Sequence, residues 1–285
     1  MRPILRGPLI GHLVRKPLRA AVSENRIVLD KWVPYRNENA TVQFRVIGFP
    51  HAAGNAFFYR SWRKYTPPDL DFCPVELPGH GQRIDEMPFT DLGALASILQ
   101  VILAPLLTVP FAFFGHSTGA CIAFEAARML RAADERSATH LFVSGRPAPG
   151  HAGAGRSIRS LSDQDLLAVL IRYGGTPAVV MERTELMAAI LPALRADLAL
   201  VESHRLFEGT RLSCPITVFS GADDTIDNAS LQAWRDFTAE TIRVQMFSGD
   251  HFYLSEAGEA LIGEMAKEVR RPATLLAPRP TGAAI

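Results

Sequence analysis

The chain has 285 residues, 48% of them hydrophobic, and its 30 Lys and Arg against 29 Asp and Glu leave a formal net charge of +1. That length supports a substantial core, in one large domain or one domain with an insertion. The near-zero charge gives no global field for nucleic acid, and no apolar run is long enough to span a membrane. Cys73, Cys121 and Cys214 are odd in number, scattered and without C-x-x-C spacing. They read as buried thiols of a reducing, cytoplasmic compartment, not as a disulfide frame or a metal site.

Residues 1–36 read as a basic, mobile extension. Arg2, Arg6, Arg15, Lys16 and Arg19 precede the first acid, Glu24. Pro3, Pro8 and Pro17 interrupt any signal-peptide core. An Arg-rich, acid-poor start also has the composition of an organelle transit peptide, or of an arm for an acidic partner. A domain over 37–270 follows, and the Pro-containing stretch 271–285 reads as a disordered tail.

Within the domain, Thr41 to Phe49 reads as a strand, Phe57 to Tyr65 as a helix and Phe72 to Leu77 as a strand ending in the turn Pro78-Gly79-His80-Gly81. Leu92 to Leu107 has helical spacing. Phe111 to Phe114 is a short apolar strand, and Ala120 to Leu130 a helix. His140 to Gly145, Pro215 to Gly221 and Ile242 to Phe247 are further strands, with helices over Ala229 to Phe237 and Glu256 to Val269. Strands alternating with helices predict an α/β fold with a mostly parallel sheet covered on both faces.

One segment, about 157–208, breaks the alternation with helices alone. Ser162 and Asp165 form an [ST]-x-x-[DE] start signal. Tyr173 to Pro177 stops that helix. A second helix carries Leu186, Ile190, Leu191, Leu194, Leu198 and Val201, and Pro192 should bend or divide it. A helical insertion at this point of the chain is where a lid over a site would lie. Arg195 and Asp197 within it read as a surface ion pair or a structural hydrogen bond, with a functional role as the alternative.

Gly115-His116-Ser117-Thr118-Gly119 joins the strand Phe111 to Phe114 to the following helix. A G-x-S-x-G turn in that context is the nucleophile elbow of an α/β-hydrolase fold, which leaves the Ser117 hydroxyl exposed at a helix N-terminus. The fold requires an acid and then a His later in the chain. Gly221-Ala222-Asp223-Asp224 follows a late strand. Asp224, three positions after the Gly, is the favoured acid and Asp223 the alternative; capping of the next helix could fall to either, or to Asp227 or Asn228. His251, in the Gly249-Asp250-His251-Phe252 loop after the last strand, is the base. His80, His116, His140 and His204 stand in the wrong places, and His116 should pack beneath the elbow. An oxyanion needs two backbone donors. The Thr118 N–H is one. The Pro50-His51-Ala52-Ala53-Gly54 loop supplies the other, from Ala52 or alternatively Ala53.

These residues resemble the type II thioesterases of polyketide and nonribosomal peptide synthesis, which are α/β-hydrolases. The matching pieces are Phe49 to Gly54 with Phe58 and Trp62, Glu76 to Gly81, Phe114 to Ala120, Leu161 to Asp163, Gly174 to Pro177, Leu191 to Asp197, Cys214 to Val218 and Gly249 to Phe252. Two positions depart from the family pattern. Ala53 stands where Gly is usual, and Thr118 where Met is. The resemblance implies a serine thioesterase that clears acyl groups from the phosphopantetheine arms of acyl or peptidyl carrier proteins. It also implies that Lys and Arg near the site mouth or in the extension would meet an acidic carrier. No cofactor or metal is expected, and the chain is expected to be a monomer. A carboxylesterase, lipase or acyltransferase would use the same triad. A non-catalytic relative of the fold is the more distant alternative.

Overall fold

Six short apolar runs form one fully parallel sheet in the order β2-β1-β3-β4-β5-β6. They are β1 (Phe44–Phe49), β2 (Leu70–Pro74), β3 (Phe111–His116), β4 (His140–Ser144), β5 (Ile216–Gly221) and β6 (Ile242–Phe247). The computed structural model describes residues 26–37, 41–133, 137–151, 161–166, 168, 184–203 and 211–271. The expected stop at Tyr173 to Pro177, His204 and most of both terminal segments lie outside them.

Successive strand side chains point to opposite faces, and both faces are buried. Ile47, Phe113, Val143 and Val218 enter one core with the helices α1 (residues 26–32), α2 (Leu92–Leu103) and α3 (Thr118–Ala133). Val46, Phe114, Phe142 and Phe219 enter a second core with the 3-10 helix Ala56–Tyr65 and the last helix. Burial on two sides explains why the inner strands β3, β4 and β5 are near-continuous apolar runs, whereas the half-buried edge strand β6 alternates with Arg243 and Gln245. Each fully buried Phe or Ile contributes roughly 1.5–3 kcal/mol. The remaining helices are α4 (Thr184–Ser203), α5 (Asn228–Gln232) and α6 (Gly258–Val269).

Several expected boundaries move. Leu29, Trp32 and Val33 are buried in the first core, so packing begins well before residue 37. β2 ends at Pro74, not Leu77: Val75 still donates to the Gly48 carbonyl, but the Glu76 N–H turns to the Trp32 carbonyl. The Leu92 helix gives way to a 3-10 turn at Ala104–Leu106, where Pro105 cannot donate. Ala229 to Phe237 is likewise split into α5 and a 3-10 turn, Ala233–Phe237. Pro192 does not divide α4, which runs continuously through it. The Ser162 signal forms a reciprocal box: the Asp165 N–H donates to Ser162 Oγ at 3.2 Å, and the Ser162 hydroxyl donates to the Asp165 carboxylate at 2.8 Å.

The strand order reverses direction between β1 and β3, which are neighbours in the sheet. In an open parallel sheet the crevice outside the carboxyl ends at such a point is where ligands bind. The Pro50 to Gly54 turn leaves β1 there, and Ser117 leaves β3.

Candidate active site

Ser117 lies between β3 and α3 at φ 54°, left-handed backbone that a residue with a Cβ rarely adopts. Two hydrogen bonds hold it. Its N–H donates to the Ser144 carbonyl at 2.8 Å, and its own carbonyl accepts from Ala120 at 3.1 Å. The flanking glycines are sterically required. A Cβ on Gly115 would lie 2.5 Å from the Ala120 nitrogen and would collide with the Gly119 carbonyl. A Cβ on Gly119 would lie 2.5 Å from the Pro50 carbonyl oxygen and closer still to that of Phe49. The elbow therefore fits against the end of β1 only without side chains.

β5 and β6 bring the later residues to the same end of the sheet. The Asp224 carboxylate and His251 Nδ1 are 2.7 Å apart, with both side chains buried. The alternative acid, Asp223, is exposed; its N–H donates to the Gly249 carbonyl at 2.9 Å, pinning the acid loop to the His loop. Helix capping falls to Asp227, whose side chain accepts from the Ser230 N–H at 2.8 Å. The His251 ring stands 4.9 Å from that of His116, next to the elbow serine. Phe252 packs edge-on against all three rings, 4.9 Å from His51, 5.5 Å from His116 and 5.3 Å from His251.

The turn after β1 is closed by the Gly54 N–H donating to the His51 carbonyl at 2.9 Å, with Ala52 and Ala53 at its centre. Ala53 has φ 56°, the conformation for which glycine carries no penalty. Its N–H donates to the Asp197 carboxylate at 2.7 Å. Of the two expected donors in this loop, Ala53 is thus engaged with Asp197. The Ser117 N–H is also engaged. Thr118 starts α3, within the first turn whose N–H groups lack intrahelical partners.

Three supporting groups make contacts that the sequence did not reveal. Ser144 Oγ, at the end of β4, lies 2.9 Å from His116 Nδ1 and 2.6 Å from the Tyr253 hydroxyl. This chain ties the elbow to the His251 loop. Asp197 is buried, whereas Arg195 reaches the exposed Asp163 at 2.7 Å, so the two do not pair. His80 Nε2 meets the same Asp197 oxygen as Ala53, at 2.9 Å. No local pattern announces contacts over such sequence separations.

Burial pushes His51 and His140 down to about 3. Burial, with His251 and His51 nearby, also holds His116 well below its ordinary value. His80 differs: burial opposes its charge, but the Asp197 carboxylate outweighs this and its pKa is raised. The three lowered groups stabilise the fold above the unfolded value near 6.5. That stability is lost as pH falls toward the folded values, because only the unfolded chain takes up the protons. His80 acts oppositely: its contribution is present below 6.5 and is lost as pH rises through its raised value. The urea midpoint should therefore drop between pH 6.5 and 4, by on the order of several kcal/mol in stability. A flat midpoint over that range would contradict these assignments.

Cys73, Cys121 and Cys214 are buried and free, and burial pushes the Cys214 thiol up to about 12. Among the described residues, no group of three or more His, Cys, Asp or Glu could hold a metal ion, and no helix is long and apolar enough to cross a membrane.

A parallel sheet with an elbow serine after β3, an acid after β5 and a histidine after β6 defines an α/β-hydrolase fold. Residues 44–269 match the thioesterase domain family model, and the chain belongs to that family of thioester hydrolases of the serine hydrolase type. The chain is 36% identical over 252 residues to the gramicidin S biosynthesis protein GrsT of Aneurinibacillus migulanus, covering 88% of this chain and 97% of that protein. It is 34% identical to the medium-chain S-acyl fatty acid synthase thioesterase of Homo sapiens, covering 80% of this chain and 87% of that one. Among solved structures it resembles the type II thioesterase BorB from the borrelidin biosynthetic cluster, with a TM-score of 0.77 and 37% identity over 85% of this chain and 98% of that one.

Proposed function

We propose that the enzyme hydrolyses acyl thioesters carried on the phosphopantetheine arms of acyl or peptidyl carrier proteins, in editing or release during polyketide or nonribosomal peptide synthesis. The observation that carries the chemistry is the buried Asp224–His251 pair beside the elbow serine. The names of the similar proteins support the pathway class.

In this reading Asp224 holds the proton on His251 Nδ1, leaving Nε2 to accept the Ser117 proton. Ser117 Oγ attacks the thioester carbonyl. The tetrahedral oxyanion is met by the N–H groups of Ala52 and Thr118, at the positive end of α3. Collapse breaks the C–S bond, and the thiol leaves with the proton from His251. Water then gives a proton to His251 and attacks the Ser117 ester; the acyl C–Oγ bond breaks, His251 returns the proton to Ser117 Oγ, and the free acid departs. The sum is thioester plus water to acid plus thiol, and these steps require no cofactor. We take the enzyme to be a monomer in a cytoplasmic, reducing compartment, a setting that suits three buried free thiols.

The test is a panel of acyl groups of varied length, presented on carrier proteins and as matched oxygen esters. The proposal expects a higher kcat/KM for the carrier thioesters at every length. A preference for the oxygen esters would favour a carboxylesterase instead.

A further inference from the structure

The turn that carries the Ala52 N–H is not held by its own loop alone. Its central Ala53 sits in left-handed backbone, which costs a residue with a Cβ roughly 1–2 kcal/mol. Something outside the turn must keep it there. The Ala53 N–H donates to the Asp197 carboxylate at 2.7 Å, delivered from α4, 144 residues along the chain. The same oxygen, Asp197 Oδ2, meets His80 Nε2 at 2.9 Å. The other ring nitrogen, His80 Nδ1, lies 2.9 Å from the Pro78 carbonyl. Both nitrogens of His80 thus face atoms that can only accept, so the ring carries both protons and pairs with Asp197 as an ion. Asp197 and His80 are both almost wholly buried, at 2% and 3% exposure, where an ion pair persists only when its hydrogen bonds are complete. The Ala53 N–H completes it.

We propose that Asp197 and His80 are positioning residues for the oxyanion site: together they clamp the Ala53 N–H from the helical insertion and so aim the neighbouring Ala52 N–H at the reacting carbonyl oxygen. Through Asp197 the insertion is joined to the transition-state machinery, and α4 cannot lift without releasing the turn. This inference rests on the Ser117 mechanism above.

An isolated Asp197→Ala change leaves a charged His80 buried without its partner and risks simple unfolding. The decisive variant is the double change Asp197→Leu with His80→Phe, which removes both charges at similar volume while leaving the Ala53 N–H without its acceptor. Loss of one oxyanion donor lowers kcat by roughly 10²–10³-fold, so misaiming one should cost about 10²-fold. The double variant should fold and show that loss in kcat on an acyl-pantetheine thioester, with KM little changed. Its affinity for an alkyl boronic acid, which mimics the tetrahedral oxyanion, should fall in parallel, while affinity for the unreactive thioether analogue should not. Asp197→Asn, whose amide oxygen still accepts the Ala53 N–H, should recover most of kcat. A folded double variant with wild-type kcat and boronate affinity overturns the clamp. So does an Asp197→Asn enzyme as slow as the double variant. Ser117→Ala distinguishes the levels: if it remains active, the mechanism itself fails, and if it is inactive while the double variant is not, only the clamp fails.

Discussion

Replacing Ser117 by Ala is expected to lower kcat for acyl-thioester hydrolysis by roughly 10⁴–10⁶-fold without unfolding the protein. Both halves of that expectation follow from the elbow. The strained φ of 54° at Ser117 is held by backbone bonds to Ser144 and Ala120, which an alanine keeps. Alanine also carries the same Cβ, so the strain is unchanged. What disappears is the oxygen that, in the proposed mechanism, gives its proton to His251. The remaining groups, the Thr118 and Ala52 N–H donors and the binding surface, would account for whatever slow hydrolysis persists. Circular dichroism and a melting curve overlying wild type, beside a rate lowered by that factor yet still above substrate self-hydrolysis, constitute the expected result.

The second large effect concerns fold and site together. Gly119→Ala adds one methyl group 2.5 Å from the Pro50 carbonyl oxygen and nearer still to Phe49. These are backbone atoms at the end of β1, so no side chain can swing away to make room. Either α3 shifts outward, moving Ser117 and the Thr118 N–H, or β1 shifts, moving the Ala52 turn. The expected outcome is a loss of about 3 kcal/mol or more in stability, with hydrolysis falling further than Ser117 exposure alone would explain. Gly263→Ala is the matched control. A Cβ there meets nothing within 4 Å in the middle of α6, and alanine is the better helix former by roughly 1 kcal/mol. That variant should be slightly more stable and fully active. Equal behaviour of the two would mean that the elbow is not packed as described.

Much of this was legible in the residues, because the features with the strongest local constraints are also those with the strongest local patterns. A turn too tight for side chains needs glycines at fixed offsets, and so Gly115 and Gly119 marked Ser117. The buried apolar run of β5 placed the acid after it, and the alternating edge strand β6 placed the histidine after it. The offset from Gly221 picked Asp224, the residue found on His251. The sequence was silent where long-range partners decide. Nothing near Phe72 to Leu77 says that the Glu76 N–H will abandon the sheet for Trp32. Trp32 itself had been grouped with the extension because its basic neighbours hid three core residues. Pro192 costs α4 one hydrogen bond but does not divide it, since a helix packed along one face is held by more than its ladder. Asp197 read as a surface ion pair or a structural hydrogen bond, while its partners came from the turn after β1 and from the turn after β2.

The departure at Ala53 also gains a physical meaning. Where the family pattern has a glycine, this chain places a Cβ in left-handed backbone, next to the N–H chosen for the oxyanion. Strain of that kind persists only when surrounding contacts over-determine it, and the Asp197 bond is such a contact.

The central claim is that Ser117 becomes acylated by a thioester. Its most direct measurement is intact-mass spectrometry during turnover of a carrier-bound acyl thioester, quenched within milliseconds to seconds, followed by peptide mapping. The account predicts a mass increase equal to one acyl group, located on the peptide containing Ser117 and absent from the Ser117→Ala enzyme. An acyl adduct on another residue, or one that survives the Ser117→Ala substitution, would contradict it.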